Sequence, residues 1–189
     1  NQPLILELGC GKGEYTVNLA KHDPHSNYLG IDIKGARMWK GAKIAVNENI
    51  PNAKFLRTRI DFINSFFDEN EVDAIWVTFP DPQPKKAKKR LISSKFLNAY
   101  SKFLRPNGLI HLKTDNADLF DYMKQVIEKN SLEVIKLSED VHNSTYEDMK
   151  TLRDIQTFYE QQFVEMGKKI KYVCFRLNPY KSLEEPDEE

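Results

Sequence analysis

The stretch that decides the fold is Leu4-Ile5-Leu6-Glu7-Leu8-Gly9-Cys10-Gly11-Lys12-Gly13, close to the start of the chain. An apolar run of strand length meets three glycines at alternate positions, and an amphipathic segment, 14–20, follows directly. A strand, a glycine loop and a helix in this order are typical of the first unit of a nucleotide-binding α/β fold. Glycines suit such a loop because the backbone must turn sharply and approach a ligand without Cβ atoms in the way.

The glycine spacing and one carboxylate distinguish this loop from the dinucleotide-binding motif. In that motif the third glycine falls three positions after the second, a place that Glu14 takes here, because Gly13 comes early. Glu7 stands at the end of the strand, where its charge would repel a pyrophosphate. A carboxylate there suits a cationic ligand, such as the sulfonium and amine of S-adenosylmethionine. The alternative interpretation is an ordinary tight turn between a strand and a helix.

The charge of the chain is unevenly distributed. The formal net charge is zero, but the last seven residues hold five acids and no base, so 28 basic residues face 23 acidic ones in the rest. A mildly basic body permits a polyanionic partner without requiring one.

The cysteine content and the apolar runs bear on the cellular compartment. The two cysteines, Cys10 and Cys174, lie far apart in sequence, which gives no disulfide framework and no metal-ligand cluster. We therefore expect a reducing compartment, the cytoplasm, and no bound metal. No apolar run approaches membrane-spanning length, and no signal peptide is visible.

Strand and helix patterns alternate along the chain, which predicts an α/β fold with a mostly parallel seven-stranded sheet and helices on both faces. We expect one domain over residues 1–178 and a disordered acidic tail over 179–189. The chain begins without Met immediately before a strand, so we also expect that an N-terminal segment is missing. The last two strands, with a helix between them, predict an antiparallel closing element. The predicted strands are 4–8, 27–33, 53–58, 72–79, 109–113, 132–137 and 171–177. The predicted helices are 14–20, 35–49, 61–67, 94–104, 119–129 and 155–166.

Carboxylates mark the carboxyl ends of the first five predicted strands, which is the edge where ligands bind in an open α/β sheet. A single acid there would mean little, since acids often cap helices, but five along one edge indicate a site. They are Glu7, Asp32, Asp61, Asp81 and Asp115.

Two of these acids have a specific candidate role. Asp32 follows the glycine loop at the distance where a carboxylate accepts both hydroxyls of a ribose. The alternative is that Asp32 is the N-cap of the next helix. Asp61 could accept a hydrogen bond from the exocyclic amine of an adenine. It is also the predicted N-cap of the helix 61–67, and the two roles are compatible.

The segment Thr78-Phe-Pro-Asp-Pro-Gln-Pro-Lys-Lys-Ala-Lys-Lys-Arg90 is the most informative stretch after the glycine loop. Pro80 and Pro82 restrict the backbone around Asp81 and hold its carboxylate at the mouth of the strand. Five bases within residues 85–90 form a basic loop beside it. The alternative is a solvated lysine run, but its position next to Asp81 favours binding of a phosphate backbone.

A late segment, Arg153 to Glu160, has the pattern of a helix start. Thr157 and Glu160 lie three positions apart and so share a helix face, which alone is more often a capping pattern than a site. His111 and His142 are isolated in the sequence, and we assign neither a catalytic role.

Taken together, these motifs resemble the bacterial tRNA (guanine-N7-)-methyltransferases. LELGCGKGEY, GIDIKGAR, FPDPQPKKAKKR, HLKTDN and TFYEQQF stand in that family's order and at compatible spacing, so the match covers nearly the whole chain. FPDP followed by a basic loop is much more specific than the glycine motif. Gln83 departs from the family, since many members have Trp there. The resemblance implies a Rossmann-like class I methyltransferase that uses S-adenosylmethionine to methylate nitrogen 7 of guanosine 46 in the variable loop of tRNA.

The resemblance also implies roles for individual residues. Asp81 is expected to be catalytic. The expected partner is tRNA, and the protein is expected to be a monomer or a homodimer. The residues expected to bind the cofactor are Glu7, Gly9, Gly11, Gly13, Asp32, Asp61 and Asp81. Those expected to bind the substrate are Lys85, Asp115, Thr157 and Glu160.

Three alternatives to this function remain open. A class I methyltransferase acting on a small molecule would need no basic loop. A non-catalytic RNA-binding protein with a vestigial cofactor site would not need the intact set of Glu7, the glycines and Asp32. A nicotinamide dehydrogenase is disfavoured because the third glycine is misplaced.

Overall fold

A seven-stranded sheet with the strand order β3-β2-β1-β4-β5-β7-β6 forms the centre of the molecule. The computed structural model describes residues 2–145, 147–177 and 182–187, with Asp148 described by its backbone alone. The strands are β1 Leu4–Leu8, β2 Asn27–Asp32, β3 Ala53–Arg57, β4 Val72–Thr78, β5 Leu104–Thr114, β6 Val134–Ser138 and β7 Lys171–Arg176. The helices are α1 Glu14–His22, α2 Gly35–Asn47, α3 Ser94–Tyr100, α4 Ala117–Lys129, α5 Lys150–Asp154 and α6 Phe158–Glu165. Short 3₁₀ turns cover Ile60–Ser65, Ala87–Lys89 and Glu147–Met149.

The direction of the strands confirms the predicted sheet. β3, β2, β1, β4 and β5 run parallel, whereas β7 is antiparallel to both of its neighbours, β5 and β6. The central strand β4 is a nearly continuous buried apolar run, as a strand covered on both faces must be. All five parallel strands therefore end at one edge, which is the edge where the acids were predicted.

Helices cover both faces of the sheet, because alternate side chains of each strand point to opposite sides. Leu6 and Leu8 of β1 pack into one apolar cluster with residues of α3 and α4, such as Phe96 and Phe120. Residues of α1, α2 and α5 pack with Trp76 of β4 in the cluster on the other face.

Three helix predictions are wrong in detail. The predicted helix 94–104 ends at Tyr100, and β5, predicted to begin at 109, already begins at Leu104. The predicted helix 155–166 is interrupted: α5 ends at Asp154, and α6 begins at Phe158. Thr157 is extended there, and its side chain accepts a hydrogen bond from the amide of Glu160, so a cap interrupts the helical pattern. The predicted helix with Asp61 as its N-cap is a 3₁₀ turn in which Arg59 takes the cap position and Asp61 lies inside the first turn.

The expectation of a disordered tail is wrong for residues 182–187. Leu183 is only 5% exposed, and its backbone amide and carbonyl bond the side chain of Asn98 on α3. Glu185 accepts hydrogen bonds from Ser94 and from the hydroxyl of Tyr122. The remaining tail residues, 179–181 and 188–189, lie outside the described residues.

Candidate active site

The glycine loop turns through left-handed backbone at all three glycines. The φ angles of Gly9, Gly11 and Gly13 are 74°, 55° and 72°, a region that only glycine enters without strain. A Cβ on Gly13 would lie 2.3 Å from the ring of Phe55, so packing also requires glycine there. At Gly11 no atom of the described chain lies within 4 Å of such a Cβ. Gly11 therefore leaves space open on the side where a ligand would approach.

Glu7 lies at the floor of a cavity behind this loop, with only 3% of its surface exposed. Its carboxylate accepts hydrogen bonds from the amide of Thr16 at 2.8 Å, from the hydroxyl of Thr16, and from that of Thr78 at 2.7 Å. Burial raises the pKa of Glu7 to about 7, against the opposing effect of these hydrogen bonds, and the nearby charge of Asp32 raises it further. A cation bound above Glu7 would favour its ionised form.

Asp32 ties the end of β2 to the glycine loop. Its Oδ2 accepts from the amide of Gly11 at 2.9 Å, and its Oδ1 accepts from the amide of Lys34 at 2.8 Å. Lys34 is the N-cap position of α2, so the alternative that Asp32 caps this helix is wrong. Asp32 instead fixes the loop and keeps a partly exposed carboxylate at the cavity wall.

Two cavities meet at the carboxyl edge of the sheet, and both are bounded by Gly9, Asp32 and Leu91. The first, of about 300 Å³, also contains Glu7 and Asp81 in its walls. The second, of about 440 Å³, contains Asp61. The structure thus brings four of the five predicted strand-end acids to one continuous groove.

Asp61 pairs with two cations in the second cavity. Its carboxylate lies 3.3 Å from Nζ of Lys95 and 3.4 Å from the guanidinium of Arg59. Partial burial opposes ionisation of Asp61, but hydrogen bonds and charges from Lys95 and then Arg59 outweigh it and lower the pKa.

The turn that carries Asp81 is held in an unusual conformation. Phe79 and Gln83, on either side of it, have φ angles of 46° and 45°, which cost non-glycine residues about 1–3 kcal/mol each. The amide of Gln83 donates to Asp81 at 3.1 Å, and Nε of Arg90 donates to the carbonyl of Pro82 at 3.0 Å. These bonds hold Asp81, exposed, at the wall of the first cavity.

The basic loop 85–90 lies beside the groove rather than inside it. Lys85 borders a separate cleft of about 700 Å³, whose other walls include Tyr122 and residues 185–187 of the tail. Lys89 borders both this cleft and the second cavity of the groove. Contact of Lys85 with a substrate therefore stays a prediction, and it would involve a part of the substrate outside the groove.

The other predicted substrate residues lie at different depths. Thr157 lines the first cavity, whereas Asp115 pairs with Lys168 at 2.7 Å and lines neither cavity of the groove. Glu160 is fully buried. Its Oε1 accepts a hydrogen bond from Nζ of Lys113 at 2.8 Å and lies 2.9 Å from Nε2 of His142. Oε2 of Glu160 has no hydrogen-bond partner among the described residues. Substrate contacts by Asp115, Thr157 and Glu160 stay predictions.

Several supporting residues were not identified from the sequence. Thr16 and Thr78 hold Glu7, and Lys113 and His142 hold Glu160. Thr78 directly precedes Phe79 of the FPDP motif, a signal that could have identified it. Thr16 lies nine residues after Glu7, on the helix that follows the glycine loop. Lys113 and His142 reach Glu160 only through the packed fold, so no local pattern marks them.

The residues of the groove fit S-adenosylmethionine. The first cavity offers three features that suit this cofactor. They are open space at Gly11, an acceptor for hydroxyls in the partly exposed carboxylate of Asp32, and the buried carboxylate of Glu7. Asp61 offers an acceptor in the second cavity. Neither a cluster of potential metal ligands nor a helix long and apolar enough to cross a membrane occurs in residues 2–145, 147–177 and 182–187.

Comparison with known proteins gives matches over nearly the whole chain. A family model described as "Putative methyltransferase" matches residues 1–173. A tRNA (guanine-N(7)-)-methyltransferase of Bacteroides thetaiotaomicron is 49% identical over 189 residues, which cover 100% of this chain and 74% of that protein. The protein of the same description from Porphyromonas gingivalis is 49% identical over 99% of this chain and 77% of its own length.

A solved structure shares the fold at low sequence identity. The 16S rRNA methyltransferase KamB superposes with a TM-score of 0.69 and 13% identity, over 94% of this chain and 89% of that one. At this identity the likeness concerns the fold alone, and it agrees with the sheet and helices described above.

Proposed function

This chain belongs to the bacterial tRNA (guanine-N(7)-)-methyltransferase family. We propose that it transfers a methyl group from S-adenosylmethionine to nitrogen 7 of a guanine in tRNA. The proposed target is guanosine 46 in the variable loop. The proposed place of action is the cytoplasm, where tRNA is found. Whether the chain acts as a monomer or as a homodimer stays a prediction.

The observation that carries the proposal is that Glu7, Asp32 and Asp81 line one cavity. The glycine loop and Asp32 form the half of the cavity that suits a nucleoside. Asp81, held on the rigid turn after β4, is exposed and lines the same cavity, so it can contact a second molecule that enters there. The cavity therefore suits a reaction between a nucleoside cofactor and a polar ring.

S-Adenosylmethionine, when bound, supplies a methyl group on a sulfonium centre. Nitrogen 7 of guanine has a free lone pair and carries no proton, so its attack on that methyl requires no strong general base. The contribution of the protein is then mainly to align the nucleophile with the methyl group. Glu7, Asp32 and Asp61 would hold the cofactor side of this alignment.

Asp81 has the position to orient the guanine. Its carboxylate is an acceptor only, and guanine presents N–H donors on its ring edge and exocyclic amine. Methylation of nitrogen 7 leaves a positive charge on the ring, which a nearby carboxylate stabilises. We assign Asp81 to orientation and charge stabilisation and not to removal of a proton from the nucleophile.

The basic loop supports RNA as the substrate. Lys85, Lys86 and Lys88 are exposed beside the groove and suit sequence-independent contacts with phosphates. A folded RNA is read largely by its shape, with the target base exposed into the pocket. A small-molecule methyltransferase has no use for such a loop, and its activity would depend little on salt.

The test is methyl transfer from labelled S-adenosylmethionine to unmodified tRNA transcripts, with the product nucleoside identified by mass spectrometry. We expect 7-methylguanosine, formed at a rate that falls steeply between 50 and 300 mM salt. Cofactor binding without transfer to any transcript would contradict the proposal. Transfer to a small molecule at a rate insensitive to salt would establish the rival function.

A further inference from the structure

Two neighbouring aromatic side chains are exposed at the start of α6, and one of them lines the first cavity. Phe158 is 48% and Tyr159 47% exposed, although both belong to the first turn of α6. Tyr159 lines the cavity itself, next to Thr157. Their rings are 6.0 Å apart between centroids and stand at 69° to each other, edge to face, so the two rings do not stack on one another.

The backbone that carries these rings is anchored at several points. The amide of Phe158 donates to Oε2 of Glu14 at 3.0 Å, which ties the start of α6 to the start of α1. Thr157 caps α6, and Glu160 pairs with Lys113 beneath it. The rings therefore extend from a fixed position, and ordering them for a ligand would cost little conformational entropy.

A cation from the glycine loop lies over both rings. Nζ of Lys12 is 4.5 Å from the centroid of Phe158 and 5.2 Å from that of Tyr159. Lys12 also lines the first cavity, as do the cations Lys34 and Arg37. The cavity also holds the acids Glu7, Glu14, Asp32 and Asp81, but the charge beside the two exposed rings is the positive charge of Lys12.

This combination matches the chemistry of nucleotides. A nucleobase offers a flat π-face to stack on an aromatic ring, and its phosphate offers an anion for a lysine. A purely apolar protein partner would supply no anion to Lys12, the cation that lies over both exposed rings.

We propose that Phe158 and Tyr159 form a stacking platform for nucleobases of the RNA substrate, with Lys12 contacting a phosphate. Tyr159 stacks on the guanine that enters the cavity, and Phe158 stacks on an adjacent base. The inference rests on the proposed function, because it names the part of the substrate that this surface holds.

The first experiment measures dissociation constants for an unmodified tRNA transcript and for S-adenosylhomocysteine with the variants Phe158→Leu and Tyr159→Leu. Each variant should bind the transcript about 5- to 100-fold more weakly, as for the loss of one base stack, and bind S-adenosylhomocysteine as the wild type does. Tyr159→Phe keeps the ring and should retain the affinity.

Phe66→Leu is the matched control. Phe66 is 46% exposed. It lies near the start of β4, because the ring of the next residue, Phe67, contacts the ring of Phe103. The carbonyl of Phe103 in turn accepts a hydrogen bond from the amide of Val72, the first residue of β4. This is the edge of the sheet opposite the groove, so Phe66→Leu should leave RNA binding unchanged.

Two further readouts separate stacking from a general effect on folding. A transcript with 2-aminopurine beside the target guanosine should change its fluorescence on binding to the wild type and not to Phe158→Leu. The slope of log Kd against log salt should stay the same in Phe158→Leu and decrease in Lys12→Gln, because only the second change removes a phosphate contact.

Wild-type affinity for the transcript in both leucine variants would overturn the platform, as would an equal loss of cofactor binding. Failure of the wild type itself to bind and methylate tRNA would instead overturn the proposed function, so the two failures are distinguishable.

Discussion

The ammonium of Lys113 and the carboxylate of Glu160 lie 2.8 Å apart with both side chains fully buried. Lys113 belongs to the end of β5 and Glu160 to the first turn of α6, so the pair fixes α6 to the sheet. Thr157 and Tyr159, at the start of this helix, line the first cavity. The lysine also donates to the carbonyls of Leu152 and Ile155 at 2.6 and 3.1 Å. Burial lowers the pKa of Lys113, and the charge of Glu160 opposes that effect.

Removal of one partner of this pair should destabilise the fold strongly. Lys113→Met would leave Glu160 buried without its cation, which we expect to lower the free energy of unfolding by about 3–5 kcal/mol. Urea denaturation gives this value. The control is Lys124→Met, since Lys124 pairs with Glu139 at 3.1 Å on the exposed surface, where loss of the pair should cost about 1 kcal/mol or less. Similar losses in the two variants would contradict a special role for the buried pair.

The pH dependence of stability should reflect Glu7. Its pKa rises on folding from 4.5 to about 7, so the folded state holds more protons than the unfolded state between these values. The contribution of Glu7 to stability is therefore full below pH 4.5 and is lost as the pH rises through 7, by up to about 3 kcal/mol. We expect Glu7→Gln to remove this contribution, measured as the difference between the urea-unfolding curves of the two proteins from pH 5 to 8.

His111 has the opposite effect on the pH dependence of stability, so the stability of the wild type must be compared with that of Glu7→Gln at each pH. Burial lowers its pKa from 6.5 to about 3, which makes the fold less stable as the pH falls below 6.5. This effect is common to the wild type and Glu7→Gln and cancels in the comparison. A constant difference between their stabilities across the whole pH range would refute the assignment to Glu7.

Asp81→Ala should separate turnover from cofactor binding. If Asp81 orients the guanine and stabilises charge on it, its removal should lower kcat by about 100-fold or more. The affinity for S-adenosylmethionine, measured by calorimetry, should stay nearly intact, although the resemblance also places Asp81 among the cofactor-binding residues. Asp68→Ala, at an exposed position before β4, is the control for the loss of one surface carboxylate. A parallel collapse of cofactor affinity in Asp81→Ala would show that our division of roles is wrong.

The glycines of the loop should differ in the reason for which they are needed. Gly11→Ala and Gly13→Ala both force alanine into left-handed backbone, at about 1–2 kcal/mol. Gly13→Ala adds a clash with Phe55 and should be destabilising by about 1–3 kcal/mol more, seen in thermal unfolding. Gly11→Ala should instead weaken cofactor binding, because its methyl group enters the open space of the cavity. Gly167→Ala, with φ 74° and open surroundings, controls for backbone strain alone.

The sequence predicts those parts of the fold that depend on local patterns. The glycine loop after β1, the alternation of strands and helices, and the rigid turn around Asp81 each follow from residues adjacent in the chain. Their positions at one edge then follow from the rule that parallel strands share their carboxyl ends.

The remaining features depend on contacts between distant segments. The break before α6 arises because the side chain of Thr157 bonds the backbone of Glu160 in competition with a continuous helix. The order of the acidic tail depends on burial of Leu183 and on the side chains of Asn98 and Asn130, which no pattern within the tail indicates. The partners of Glu7 and Glu160 are likewise set by the packed fold.

The central claim is that this cavity methylates nitrogen 7 of one guanosine in tRNA, and a site-resolved assay tests it most directly. A single transcript is incubated with the protein and S-adenosylmethionine, reduced mildly, and cleaved with aniline, which breaks the chain at 7-methylguanosine. We predict one cleavage, at guanosine 46, and its complete absence when that guanosine is replaced by adenosine. Methyl incorporation without aniline cleavage, or unchanged cleavage at other guanosines after the replacement, would contradict the account.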